Sequence, residues 1–153
     1  MDKELVTIYC DGACQNKYAG DGSNRGGWCA ILQYGGKEKI VSGSDTNTTN
    51  NRMEIMPLCE CLPNILNRGY KNIKIITDSM YVIYGIRGIK KWPKKKNLPN
   101  KDLWIPLYKI IEYHDAKIDT EWVKGHSGHT ENERCNEIAE QRSTKQFDKL
   151  YGW

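Results

Sequence analysis

An α/β fold, with a five-stranded mixed sheet flanked by helices, follows from three observations in this 153-residue chain. Leu5-Val6-Thr7-Ile8-Tyr9-Cys10 is a β-branched and aromatic run of the kind that suits a pleated strand. Gly35-Gly36 separates two further runs of this kind, and paired glycines supply the positive φ that a tight hairpin demands. Beyond residue 50, helical periodicity alternates with short apolar runs, the order that parallel crossover connections require.

Taken in order, strand one spans Leu5 to Cys10 and ends at Asp11-Gly12, with a polar, Gly-rich connection through Gly27. Trp28 to Tyr34 and Glu38 to Val41 flank the glycine pair, so three antiparallel strands open the fold. Thr46 to Asn51 holds residues able to cap a helix, and Ile55, Leu58/Cys59, Leu62 and Ile65/Leu66 then recur at helical spacing. Pro57 and Pro63 predict a kink or an early break, because each removes an amide donor and crowds the preceding turn. Ile73 to Thr77 reads as a buried strand ending at Asp78, and Ser79 to Ile86 as a helix capped by Ser79 or Asp78.

A helix from about Asp102 to His114 follows, with Leu103, Leu107, Ile110 and Ile111 on one side; Trp104 is expected to anchor it and His114 to be structural. Lys117 to Lys124 alternates as the last strand. Thr130-Glu131-Asn132-Glu133 has the form of a capping box, opening a final helix to about Phe147. The last two strands are parallel additions to the hairpin sheet, and no linker or repeat divides the chain, so residues 1–153 are expected to form one domain.

Hydrophobic residues at 39% and charged residues at 27% exclude a disordered chain, and no apolar run is long enough to span a membrane. The first residues show no basic stretch followed by an apolar one, so the expected location is cytoplasmic. Six cysteines without a CxxC pair predict reduced thiols rather than zinc ligands, Cys10 and Cys29 acting as small hydrophobes. Net charge is +4, but Arg87 to Lys101 alone carries seven cations and no acid, which leaves −3 for the rest. Such a loop, at about 87–101, points to a polyanion partner.

Asp11 and Asp78 each follow an apolar strand, and in a mixed sheet ligands gather at the carboxyl ends of strands where strand order switches. Carboxylates brought together there repel unless a cation offsets them, and Mg²⁺ is the common partner of oxygen-only sites that handle phosphate. Glu54, in the first turn of its helix, is a third candidate ligand. Taken singly, the three read more simply as a turn residue, a solvated first-turn acid and a helix cap.

Their local contexts change that balance. Tyr9-Cys10-Asp11-Gly12, Thr48-Thr49-Asn50-Asn51-Arg52-Met53-Glu54, Thr77-Asp78-Ser79 and the segment from Trp122-Val123-Lys124-Gly125-His126-Ser127-Gly128-His129 through Asn132-Glu133-Arg134-Cys135-Asn136 together resemble type 1 ribonuclease H, in order, from Leu5 to Ala139. The resemblance implies a ribonuclease H-like fold and an endonuclease for the RNA strand of RNA/DNA hybrids, leaving 5′-phosphate and 3′-hydroxyl ends. It implies two Mg²⁺ ions, with Mn²⁺ able to substitute, Asp11 bridging both while Glu54 and Asp78 each hold one. His126 becomes a proton-transfer or product-release residue.

Gly12, Asn16, Asn50 and Asn51 are placed by the same resemblance at the minor groove, where 2′-hydroxyls mark the RNA strand, and Thr49 at a DNA phosphate. Lys91, Trp92, Lys94, Lys95 and Lys96 correspond to a basic handle, shorter than the fullest versions and without their extra helix. Met80 stands where many relatives carry glutamine.

Asn136 is the main departure, since the family normally presents a metal-binding aspartate there. Loss of a full negative charge predicts weaker second-ion binding and impaired cleavage. Glu133, one turn earlier, is the acid placed to compensate, while the adjacent Glu137 is turned away. Of a natural variant and a deliberate charge-neutralising substitution, the second is the favoured reading. A catalytically silent hybrid-binding module is the alternative function, and a monomer the default state.

Overall fold

The computed structural model describes residues 5–15, 24–88 and 97–144. Along the chain lie β1 (Val6–Gln15), β2 (Arg25–Tyr34), β3 (Lys37–Thr46), α1 (Asn50–Asn67), β4 (Asn72–Thr77), α2 (Met80–Arg87), α3 (Lys101–Tyr113), β5 (Lys117–Trp122) and α4 (Thr130–Thr144). The sheet order is β3-β2-β1-β4-β5, antiparallel across β1–β2 and β2–β3 and parallel across β1–β4 and β4–β5. This is the expected mixed sheet. Gly35 and Gly36 turn the hairpin at φ 54° and 79°, both left-handed as a two-residue primed turn requires.

Strand one does not end at Asp11, as its sequence pattern had predicted. β1 runs on to Gln15, with Asp11 opposite Cys29 and Gln15 opposite Arg25. Residues 11–15 hold no β-branched or aromatic side chain, but ladder pairing needs only backbone donors and acceptors. What ends near Asp11 is the parallel ladder to β4, whose last pair is Tyr9 with Ile76. β2 and β3 outrun their apolar stretches for the same reason, and β5 stops at Trp122, short of Lys124.

Helix α1 passes through Pro57 and Pro63 without the early break that was one of the two outcomes expected. Each interior proline opposes a helix by about 3 kcal/mol. Against this, Ile55, Leu58, Leu62 and Leu66 are almost fully buried, each contributing roughly 1.5–3 kcal/mol. Thr49 caps α1, its hydroxyl accepting from Arg52 N at 3.2 Å, and Ser79 rather than Asp78 caps α2, accepting from Val82 N at 3.2 Å.

For α4 the cap lies one residue earlier than the sequence pattern placed it. His129 Nδ1 accepts from Asn132 N at 3.4 Å and its carbonyl from Glu133 N at 2.9 Å, whereas the Glu133 carboxylate accepts from Gly128 N at 3.5 Å. The stretch from 145 to the expected helix end at Phe147 lies outside the described residues.

The sheet has a thick core on one face and a thin one on the other. Val6, Ile8, Ile75 and Ile73 meet Leu58, Leu62, Trp104 and Leu107 from α1 and α3, while α4 covers Cys29 and Ile31 with Cys135 and Ala139. Trp104 is fully buried and its indole donates to Tyr81 Oη at 3.1 Å, the anchoring role expected of it. His114 caps α3 and its ring pairs with Asn67 Oδ1 at 3.0 Å. All six cysteines are free thiols. No helix among the described residues is long and apolar enough to cross a membrane.

Candidate metal centre

Strand order switches between β1 and β4, the neighbours of opposite crossover sense, and there Asp11, Glu54 and Asp78 converge. Each offers a carboxylate oxygen, and these oxygens lie within 4.8 Å of one another. Two close backbone approaches bring them together. A Cβ at Gly12 would fall 2.3 Å from the carbonyl carbon of Met53 and 2.5 Å from Glu54 N, so only glycine lets α1 press onto β1 and carry Glu54 to Asp11. The Met53 carbonyl facing Gly12 is the one that Pro57 leaves without its helical donor.

On the other side, a Cβ at Gly125 would lie 2.7 Å from Asp78 Oδ2 and would push that carboxylate aside, so the bare backbone of the 123–128 loop leaves Asp78 in place beside it. Trp122 Nε1 donates to the Asp78 carbonyl at 3.0 Å, and Val123 N to the Thr77 carbonyl at 3.0 Å, which fastens this loop to the end of β4.

The cluster is electrostatically unbalanced. Asp11 is 2% exposed and Glu54 6%. Burial, then the charge of Asp78, pushes the Asp11 carboxyl up to about 7 against the pull of the Gly12 amide, which donates to Oδ1 at 2.9 Å. Burial followed by the charges of Asp11 and Asp78 drives Glu54 well above the carboxylate range. Asp78 is raised by burial and by Glu133, against its own backbone hydrogen bond and the nearby His126. Asp11 Oδ2 and Glu54 Oε2 are buried with no hydrogen-bond partner. An all-oxygen donor set with unsatisfied buried anionic atoms fits a hard divalent cation.

His126 stands at the rim with its side chain 73% exposed and Nδ1 3.9 Å from Glu133 Oε2. Its φ of 55° is left-handed, an unfavourable conformation for a non-glycine residue that the closing loop imposes. Thr49, Asn50 and Asn51 form the exposed start of α1, one turn before Glu54. Asn136 is half-buried on α4, next to Cys135, whose thiol donates to the carbonyls of Tyr9 at 3.5 Å and Cys29 at 3.1 Å. Met80 is 38% exposed on α2 beside Asp78 in the chain. Asn16 and the handle residues Lys91, Trp92, Lys94, Lys95 and Lys96 lie outside the described residues.

Several contributors escaped sequence reasoning. Asn24, within an apparently featureless polar connection, clamps Thr48 from both sides: Nδ2 donates to its carbonyl at 2.7 Å and Oδ1 accepts from its amide at 2.8 Å. That clamp sets the entry to α1. Arg52 grips Asp102 through two bonds of 2.9 and 2.7 Å and touches Asn100 Oδ1 at 3.2 Å, which ties the exit of the basic loop to α1. Both are long-range pairings of common residue types, without local periodicity to reveal them.

Similarity to known proteins extends over all of the described residues. The RNase H family profile matches residues 3–144. Ribonuclease H of Hahella chejuensis is 44% identical over 144 residues, covering 89% of this chain and 91% of that one. Ribonuclease H of Hydrogenovibrio crunogenus is 42% identical over 155 residues, covering 96% and 98%. Among solved structures, LC9-RNase H1, described as a type 1 RNase H with the type 2 active-site motif, aligns with a TM-score of 0.80 at 26% identity, over 96% of this chain and 75% of that one. The PFV RNase H domain shares the fold, with a TM-score of 0.71 at 22% identity over 94% and 97%. With a profile that spans nearly every described residue and relatives above 40% identity across their length, the chain belongs to the ribonuclease H family and is an enzyme of that family.

Proposed function

We propose that this ribonuclease H hydrolyses the RNA strand of RNA/DNA hybrids with two Mg²⁺ ions at Asp11, Glu54 and Asp78, leaving 5′-phosphate and 3′-hydroxyl ends, and that Asn136 slows it. The observation that carries the reading is the convergence of three carboxylates with two buried oxygens lacking any partner. When bound, such a metal pair supplies an activated water and stabilises the leaving oxygen; Mn²⁺ meets the same oxygen-ligand requirement. Asp11 would contribute to both ions, and Glu54 and Asp78 to one each, through the carboxylate oxygens that converge there.

The remaining residues bind and orient. Gly12, Asn16, Asn50 and Asn51 meet the minor groove and its 2′-hydroxyls, and Thr49 holds a DNA-strand phosphate at the start of α1, where helix amides favour an anion. Lys91, Lys94, Lys95 and Lys96 neutralise flanking phosphates, and Trp92 packs on a sugar or base. His126, exposed at the rim, takes up or releases a proton on its imidazole ring as product leaves. Asn136 offers a neutral carbonyl oxygen where the family normally has a carboxylate, which lowers second-ion occupancy.

Digestion of a labelled hybrid beside matched double-stranded RNA and DNA, with Mg²⁺ and with Mn²⁺, tests the substrate: cleavage confined to the hybrid's RNA strand is expected. Asn136→Asp should raise the single-turnover rate by more than about tenfold, about 1.4 kcal/mol in the barrier, with hybrid affinity little changed. Equal rates for the two forms would refute impairment by Asn136. Asn136 also favours a second reading, a silent hybrid-binding module, which predicts tight hybrid binding without cleavage by the unmodified chain at any metal concentration.

A further inference from the structure

Helix α2 is docked by one face alone. Val82, Ile83 and Ile86 are buried, and a Cβ at Gly85 would fall 2.1 Å from Trp104 Cη2, so the bare backbone there lies hard against the α3 indole. Met80, Tyr84 and Arg87, at helical spacings of four and three, form a stripe turned away from that core. Beside the stripe lies β5, an edge strand of the sheet. Thr120 Oγ1 accepts from Arg87 Nε at 3.1 Å, and Trp122, two residues on and so on the same face of β5, donates its indole N–H to the Asp78 carbonyl.

The surface so formed is apolar where solvent reaches it. Tyr84 is 64% exposed and Trp122 49%, and with Met80 they make up three of the six exposed large hydrophobic side chains among the described residues, gathered in one place rather than scattered. Arg87 is exposed, and among the described residues no carboxylate pairs with its guanidinium, so nitrogens beyond Nε face solvent. The stripe starts at the metal centre, because Met80 follows Asp78 by two positions and Trp122 is bonded to Asp78 itself. From there α2 leads away for about 10 Å at 1.5 Å per residue, the length of about three nucleotides of one stacked strand. Past Arg87 the chain runs on into Lys90, Lys91 and Lys94 without an acid.

Aromatic and thioether faces interleaved with a cation fit a single nucleic-acid strand: rings accept the face of any base, and a guanidinium accepts a phosphate. We propose that Trp122, Met80, Tyr84 and Arg87 form a track for single-stranded RNA that continues the cleaved strand beyond the end of the hybrid. This rests on the hybrid-cleavage reading above and adds to it a preference for RNA that overhangs the duplex.

Fluorescence anisotropy of the full chain tests the track, using a short RNA/DNA hybrid that is blunt or carries an overhang of about four nucleotides on either strand, with Ca²⁺ replacing Mg²⁺ and intact RNA checked on a gel. An RNA overhang at one of the two ends should tighten binding by about fivefold over the blunt hybrid. In Y84A that ratio should fall to about one, and in R87A the salt dependence of the gain should become shallower by about 0.7 in log–log slope. Y113A, which removes an exposed ring from α3 instead, should keep the parent's ratio. Thermal melts verify that each variant is folded. No gain from either RNA overhang, an equal gain from DNA-strand overhangs, or a gain that survives in both Y84A and R87A would overturn the track alone. Self-association of the chain that Y84A abolishes would also overturn it, by assigning the stripe to a second copy. A chain that binds no hybrid, blunt or overhanging, would overturn the hybrid reading and the track with it.

Discussion

The two faces of the sheet are built from different material. Beneath α1 and α3 the contacts are large aliphatic and aromatic side chains, including Ile8, Leu58, Leu62, Ile75 and Trp104, all essentially inaccessible to solvent. Beneath α4 they are Cys29, Ile31, Cys135 and Ala139, with a polar border in place of further burial. Arg134 grips Glu38 at 2.9 and 3.0 Å, Arg142 Nε donates to Ser42 Oγ at 2.9 Å, and Ser44 Oγ donates to the Arg142 carbonyl at 2.8 Å.

The two materials hold different members of the proposed site. Glu54 belongs to the helix with the thick core and Asn136 to the helix with the thin one. Buried apolar area contributes more free energy than exposed polar contacts, which lose much of their attraction to solvent. Glu54 is thus fixed by bulk packing, and Asn136 by a few small side chains and close backbone contact.

The largest effect expected is on the residue that both halves serve. Asp11→Asn should reduce hybrid cleavage by about a thousandfold, roughly 4 kcal/mol in the barrier, in a single-turnover assay at saturating Mg²⁺. A variant retaining a tenth of the parent rate would remove Asp11 from the centre of the scheme.

Next comes a direct contest between the faces. Leu58→Ala opens a cavity in the thick core and should destabilise by about 3 kcal/mol, whereas Cys135→Ala removes one sulfur from the thin core and should cost about 1 kcal/mol. Urea unfolding of both variants with a common m-value checks this. Equal losses would show that α4 is held as firmly as α1.

The smallest effect is electrostatic. In EDTA, folded Asp11 keeps its proton up to about pH 7, while the unfolded chain releases it near the ordinary carboxylate value of 3.8. Between those values the folded state binds more protons, so this group's contribution to stability is intact below about pH 4 and falls as pH rises towards 7. Asp11→Asn removes the buried charge. Its melting temperature in EDTA should therefore exceed the parent's by about 3 °C or more at pH 8, with the advantage vanishing near pH 4. Saturating Mg²⁺ should reverse the order at pH 8, since the ion stabilises only the form with the intact carboxylate. Parallel melting curves for the two proteins across this pH range would mean that Asp11 titrates normally.

Much of this arrangement was legible in the residues. The hairpin at Gly35-Gly36, the strand before Asp78, the apolar stripe of α1 and the capping role of Thr49 are local patterns of period, turn chemistry or side-chain hydrogen bonding, and a short window reveals them. Residues 11–15 show the limit of such windows. Their mixed composition conceals a strand whose pairing partners lie ten to eighteen positions away. Pro57 and Pro63 mislead for a related reason, because local propensity omits the burial that keeps α1 unbroken. The cap of α4 was displaced by one residue because a histidine nitrogen took the place expected of a threonine hydroxyl. Asn24 was invisible, since it acts on Thr48, a residue brought near only by the fold.

By itself the amino-acid order determined which segments are strands and helices, the kind of sheet they build, and that Asp11, Glu54 and Asp78 are the acids to expect together. Only the tertiary structure decided how closely those acids approach and which of their oxygens are buried without a hydrogen-bond partner. Periodicity and turn chemistry act between neighbours in the chain. The meeting of Glu54 with Asp11, by contrast, depends on an absent side chain at Gly12 and on a helix packed from more than forty residues away.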